Sequence, residues 1–558
     1  MTTPNPELAE GSKPTPRDTF LHPLWLTLTA LALGLIVEIL FYGRPLGVSF
    51  PIWAVTVCIA ALGMAWTESR RPARGSAWLI APILIFAALA FVRLEPLTLF
   101  LNVVAVLCLF ALWVRTFRTG RVTDFGWIDF AVAVLWVPVE AIIRPWPVLS
   151  KANREAFGDR ATNSRLLAVL RGLLLALPIV VVLALLLTAA DVIFADVLRK
   201  AFEWLDLEWL ADFAWRIVVV LASAVFFLGA LVAALRDPGE RKLAGQDKPL
   251  LAPFLGFTES TVVLIGVDLL FALFVFIQLR YLFGGQANIT AAGYTYAEYA
   301  RRGFGELVAV AFLTLGLVLA LATFSRRETA GQRKAFNALS AVMVVLVGVI
   351  LVSAFQRLLL YEQAYGFTRL RAYTHVAILW MGVAFVLFLV MLFAGNLRAF
   401  APAAVGVALG FALTLNLLNV DDFIVRRNAE RAQAGSELDL DYLTNLSEDA
   451  VPALASLAAE TSPGVRDEVL PRLACQQAAL DQRASEGWPS THLAVLRARS
   501  ALEPWREILS AYMSTPRVPA TTGWWRTPAE RCWAASTRRT TEAGARSAAG
   551  CGFLATGA

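Results

Sequence analysis

From Leu24 to Leu418 the chain alternates long apolar runs with short polar loops. A helix needs about 20 apolar residues to cross the hydrocarbon core of a bilayer. Eleven runs have that character: 24–41, 50–66, 78–92, 97–114, 166–189, 213–235, 257–282, 304–324, 336–359, 374–394 and 400–418. Each predicts a spanning helix. A twelfth apolar segment, 127–143, is shorter and carries Asp129, Pro138 and Glu140. Beyond 419 the period changes. Leu443, Leu446, Val451, Leu454 and Leu457 recur near one helical face, and Leu493, Leu496, Leu502 and Trp505 extend the pattern. Ser462-Pro463 reads as an N-cap followed by proline at the first helical position. The prediction is an all-α, polytopic membrane helix bundle with a small helical C-terminal tail over 419–513. Residues 1–22 and 514–558 have no apolar period and are expected to be disordered.

Composition agrees with a membrane protein. The chain of 558 residues is 58% hydrophobic and 16% charged, where soluble domains carry about 25% charged residues. Its basic balance does not imply nucleic acid, because most Lys and Arg sit in short loops between apolar runs, where they orient a protein in its membrane. With a cytoplasmic N-terminus and 127–143 not spanning, 22 Lys and Arg fall inside and 8 outside. If 127–143 spans, every later loop changes side and the count becomes 14 inside and 16 outside. The first arrangement is therefore preferred. It makes 127–143, with Trp127, Trp136 and Trp146 around it, an interfacial or re-entrant helix. The predicted organisation is a four-span region over 23–115, a basic cytoplasmic stretch over 116–165, a seven-span core over 166–418 and an extracytoplasmic tail. The acid-rich loop 190–212 falls on the tail's side. An outside tail permits disulfides, though Cys475, Cys532 and Cys551 leave one thiol over and no pairing is assigned.

Few residues carry chemistry. Asp268 lies near the middle of run 257–282, where a carboxylate costs about 2.5–3.5 kcal/mol on insertion scales unless it finds a partner or a proton. It is the leading candidate for proton or cation coupling; a structural pair with a neighbouring helix is the alternative. Glu259 and Gln278 on the same run complete a candidate polar stripe. Seven of the ten tyrosines fall in the two outer segments 281–303 and 361–373. Tyr294 and Tyr296, with Glu298, Arg302 and Glu306 spaced by four, and Arg357, Tyr361, Tyr365 and Arg369, also spaced by four, form a candidate outward-facing site for an anionic or sugar-like ligand. An interfacial aromatic belt explains the same residues. Asn416, Asn419, Asp421 and Asp422 read as a helix end. Gly406 and Gly410 form a small-residue motif suited to close helix packing. No phosphate-binding loop, nucleophile elbow or metal-ligand spacing is present, so no cofactor and no metal are expected.

Several phrases resemble a known family. Gln278-Leu-Arg-Tyr-Leu-Phe-Gly-Gly, Tyr294-Thr-Tyr-Ala-Glu-Tyr-Ala-Arg-Arg-Gly-Phe, Arg357-Leu-Leu-Leu-Tyr-Glu-Gln-Ala-Tyr-Gly-Phe-Thr-Arg-Leu-Arg and Asn419-Val-Asp-Asp-Phe-Ile-Val-Arg-Arg-Asn-Ala-Glu-Arg are similar to the bacterial membrane family catalogued as domain of unknown function 4173, with the related family 4153 as the second match. The resemblance covers roughly 160–500. It implies a multi-pass protein of the bacterial plasma (inner) membrane and supplies no reaction or ligand. Two functions follow as expectations. One is a permease-like protein using Asp268. The other is a non-enzymatic envelope or sensory component that binds a ligand, a membrane partner or a second copy through its outer tyrosine-rich loops and tail. A lipid-handling enzyme using Glu298, Glu306 or Asp268 is the weakest of the three.

Overall fold

The computed structural model describes residues 20–157, 207–236, 253–282, 304–460 and 463–513, with scattered positions between 180 and 197. Ten helices among the described residues are long and apolar enough to cross a membrane. Ten of the eleven predicted runs coincide with them; the run 166–189 lies outside the described residues. The N-terminal helices are α1 (Pro23–Phe41), α2 (Ser49–Thr67), α3 (Ile80–Val92), α4 (Pro96–Thr116), α5 (Trp127–Ile143), α6 (Pro145–Phe157) and α7 (Leu207–Leu235). They are followed by α8 (Phe257–Leu282), α9 (Phe304–Phe324), α10 (Ala330–Tyr365), α11 (Arg369–Phe393) and α12 (Phe400–Leu418). The tail holds α13 (Val420–Gln433), α14 (Leu440–Thr444), α15 (Val451–Glu460), α16 (Pro463–Ala484), α17 (Leu493–Leu502) and α18 (Arg506–Met513).

Two apolar cores share one seam. The first joins α1 to α5 and α7 around Leu26, Phe86, Trp113 and Leu235. The second joins α8 to α11 around Leu264, Met343, Phe385 and Phe388. Helix α12 lies in both, with Ala401 and Ala412 in the first core and Phe400 in the second. Dispersion and small residues hold such bundles, since lipid tails are as apolar as leucine. Accordingly, a Cβ added to Gly34 of α1 would lie 2.4 Å from the Val220 carbonyl oxygen of α7. Of the predicted small-residue pair, Gly410 receives the Trp380 ring, whose Nε1 donates to Thr414 at 3.0 Å, while Gly406 faces open space.

The helix ends define two faces. On one, which we call the tail face, the α1–α2 loop pairs with the tail through Val48 N donating to the Thr491 carbonyl at 2.9 Å. The α3–α4 loop does so through Leu94 N donating to Asp449 at 2.7 Å. Glu38 at the end of α1 meets Arg216 near the start of α7 at 3.0 Å. On the other face, Arg70 donates to the Leu235 carbonyl at 2.9 Å, and Ala73 N to the Phe117 carbonyl at 2.8 Å. Arg326 N donates to the Leu255 carbonyl at 2.9 Å on the same face. Arg71, Arg74, Arg118, Arg121 and Arg398 gather there, so it is the basic face. Helix α5 meets it at both ends: Trp127 packs on Phe400 at the start of α12, and Glu140 takes Arg115 at the end of α4.

The tail has its own core, in which Leu443, Leu454, Leu473 and Leu502 pack with Ala372, Val376 and Leu415 of the membrane helices. Asn419 separates α12 from α13 at φ 51°, a left-handed position that Asn tolerates. Cys475 is disulfide-bonded; its partner lies outside the described residues.

Candidate functional site

Asp268 sits on the inward stripe of α8, with Ser260, Leu264, Phe271, Val275 and Gln278. That spacing of three and four is one helical face. The side chain is about 16 Å from the start of α8 at 1.5 Å per residue, so it is midway through the span. It is buried, and neither carboxylate oxygen has a hydrogen-bond partner. Its helix packs on α10, where Ser353 donates to Gln278 Oε1 at 3.3 Å.

The candidate stripe holds two of its three members. Asp268 and Gln278 share the inward face. Glu259 does not: nine residues at about 100° each turn it to the opposite side of the helix. It is exposed and accepts from Gly256 N at 2.8 Å, satisfying a free donor ahead of α8.

The tyrosine-rich site divides. Tyr294, Tyr296, Glu298 and Arg302 lie outside the described residues. Glu306 is exposed in the first turn of α9. The spacing of four through Arg357, Tyr361, Tyr365 and Arg369 does not give one face, because α10 stops at Tyr365 and Gly366 turns the chain at φ 80°. A Cβ there would also lie 2.5 Å from Asn428 Oδ1. Tyr361 packs at a tilt against Phe304 and edge-on against Tyr365, and lies under the Arg371 guanidinium, 4.0 Å from the ring centre. Arg357 is half-buried on α10.

Arg369 has a different role, in a polar junction that sequence reading missed. Its Nε and Nη2 donate to the two oxygens of Asp421 at 2.8 and 2.6 Å. Asp421 is fully buried and also accepts from Ser447 N at 2.8 Å and Ser447 Oγ at 2.6 Å. Glu95 caps α4 through Leu97 N and Thr98 N and accepts the Tyr373 hydroxyl. Asp449 accepts from Leu94 N and Glu95 N and pairs with Arg93 at 3.4 Å. Asn102 and Asn416 exchange amide hydrogen bonds at 2.9 and 2.8 Å just below. These contacts tie α3, α4, α11 and α12 to the tail. Asp421 and Asp449 sit where loop acids are ordinary, and the phrase Asn419-Val-Asp-Asp hinted at Asp421 alone.

A family model, Domain of unknown function (DUF4153), matches residues 80–457. The chain belongs to that family. Of the two resemblances drawn from sequence, the second is the one this match supports. The DUF4153 region starts with α3 and ends inside α15, so it takes in Asp268 and every residue of the polar junction. No curated protein and no solved structure matches the chain. The protein is a multi-pass membrane protein, and its DUF4153 kinship carries no reaction with it.

Proposed function

We propose that this DUF4153 member is a permease-like protein in which Asp268 binds a proton or small cation within the bilayer. One observation carries the reading: a carboxylate midway along a spanning helix, buried, with both oxygens lacking a hydrogen-bond partner. An ionised carboxylate in that setting is costly, so the group is neutralised by whatever it binds. The described half of the tyrosine site argues for the same choice, because Tyr361 and Arg369 are engaged in packing and pairing within the chain. The basic face is cytoplasmic in this proposal and the tail extracytoplasmic, in a bacterial plasma membrane. The excess of Lys and Arg in the loops between spans on the basic face supports that orientation.

The test is proton flux into proteoliposomes holding a pH-sensitive dye, under an imposed gradient. Wild-type vesicles should take up protons faster than empty ones. Asp268→Asn should return the rate to the empty level while elution volume and helicity stay unchanged. Equal rates in the two proteins would refute the role of Asp268.

A second reading, an envelope component acting through its tail, draws on the tail's own core and its multiple ties to the tail face. Under it, Asp268→Asn is silent, and substitutions on the exposed tail surface abolish capture of a membrane partner.

A further inference from the structure

A second buried acid lies outside the stripe of Asp268. Glu362, on the last turn of α10, is 1% exposed. Its Oε1 lies 3.1 Å from Nδ1 of His375 on α11. Neither carboxylate oxygen has an aligned hydrogen bond, and His375 Nε2 is buried without a partner. The imidazole is held edge-on by the Phe355 ring, with centroids 4.7 Å apart. The pair sits just beneath the polar junction, since His375 follows Tyr373, which reaches Glu95, by two residues.

Apart from half-buried Arg357 on the same helix, the surrounding charges are committed or outward. On α11, Arg371 lies over Tyr361 and donates to the Gly366 carbonyl. On α13, Arg431 donates to the carbonyls of Gln363 and Ala364 at 3.0 and 3.3 Å. On α9, Glu306 is exposed, and on α10 itself Arg357 lies five residues before Glu362. His375 is the basic side chain in ion-pair range of Glu362 among the described residues.

A buried carboxylate and imidazole are neutral together when they hold one proton, as an ion pair or as a neutral acid beside a neutral ring. Losing that proton leaves an uncompensated charge in a low dielectric. We propose that Glu362 and His375 form a proton-binding site at the tail-face end of the membrane core, separate from Asp268. The proton is shared between Oε1 and Nδ1, and the unpartnered Nε2 is the position through which it exchanges.

The chain has three histidines, His22, His375 and His492, so ring-nitrogen NMR on the full chain in lipid nanodiscs, labelled at histidine, is selective. Variants H22Q and H492Q assign the remaining signals to His375. The expected result is a His375 ring that changes protonation state with pH and does so over a different range in E362Q, with E362D retaining the wild-type behaviour if E362Q does not fold. Asp268→Asn should leave that titration in place. Three results would overturn the proposal: a single His375 state across the range in which the protein stays folded, a titration indifferent to Glu362, or its loss in D268N.

Discussion

Asp421 shows how much one residue holds at the tail face. Its two oxygens take four hydrogen bonds, two from Arg369 and two from Ser447. Breaking a buried pair from one side costs about 3–5 kcal/mol, because the remaining charge is stranded. Arg369 is partly exposed, so Asp421→Ala should fall near the lower end of that range. Thermal unfolding in detergent checks it, and R369M combined with D421L should recover much of the loss. His492 makes a pH-dependent contact of the same kind. Its Nε2 meets the Leu46 carbonyl, and burial, opposed by the carbonyls of Leu46 and Phe91, lowers its pKa below the ordinary 6.5. The folded chain then binds fewer protons than the unfolded one. The stability this contributes is complete above 6.5 and is lost as pH falls through the folded pKa. With the intrinsic pH dependence of amide exchange divided out, protection over 46–48 and 488–492 should fall as pH drops below 6.5, and H492Q should abolish that acid dependence.

At the scale of elements, small residues decide which helices touch. Gly410 admits the Trp380 ring and Gly406 faces nothing within 4 Å. Gly410→Leu should therefore cost about 1–3 kcal/mol through overpacking, and Gly406→Leu should leave the thermal midpoint unchanged. Sequence supplied the motif but not the partner, since pattern alone does not say which neighbour fills a notch. The same limit explains Arg369. Its spacing from Tyr365 suggested one helix face, but Gly366 ends the helix between them. Asp268 was legible because a mid-span carboxylate is costly wherever it points. Glu362 was not, since it lies close to a predicted loop and its burial comes from α11 packing over it. The junction of Glu95, Asp421 and Asp449 unites residues more than 350 positions apart at the extremes, and no local pattern reports that.

For the whole molecule, ten of the eleven spans predicted from the apolar runs coincide with helices among the described residues, while the way two cores share α12 came only from packing. The docking of the tail on the α1–α2 and α3–α4 loops fixes those loops and the tail to one face, with the arginine-rich loops on the other. Of single cysteines at Thr123 and Glu437, both exposed, Glu437→Cys should react with a membrane-impermeant maleimide in intact cells and Thr123→Cys only after permeabilisation. The role of Asp268 inside that frame is most directly tested by a hydrophobic carbodiimide, which adds to protonated carboxyl groups in apolar surroundings. With the reconstituted full chain, peptide mass spectrometry should find the adduct on Asp268 at low pH and progressively less of it as pH or cation concentration rises. An unmodified Asp268 at every pH, or an adduct indifferent to pH and cations, would contradict a proton- or cation-binding carboxylate there.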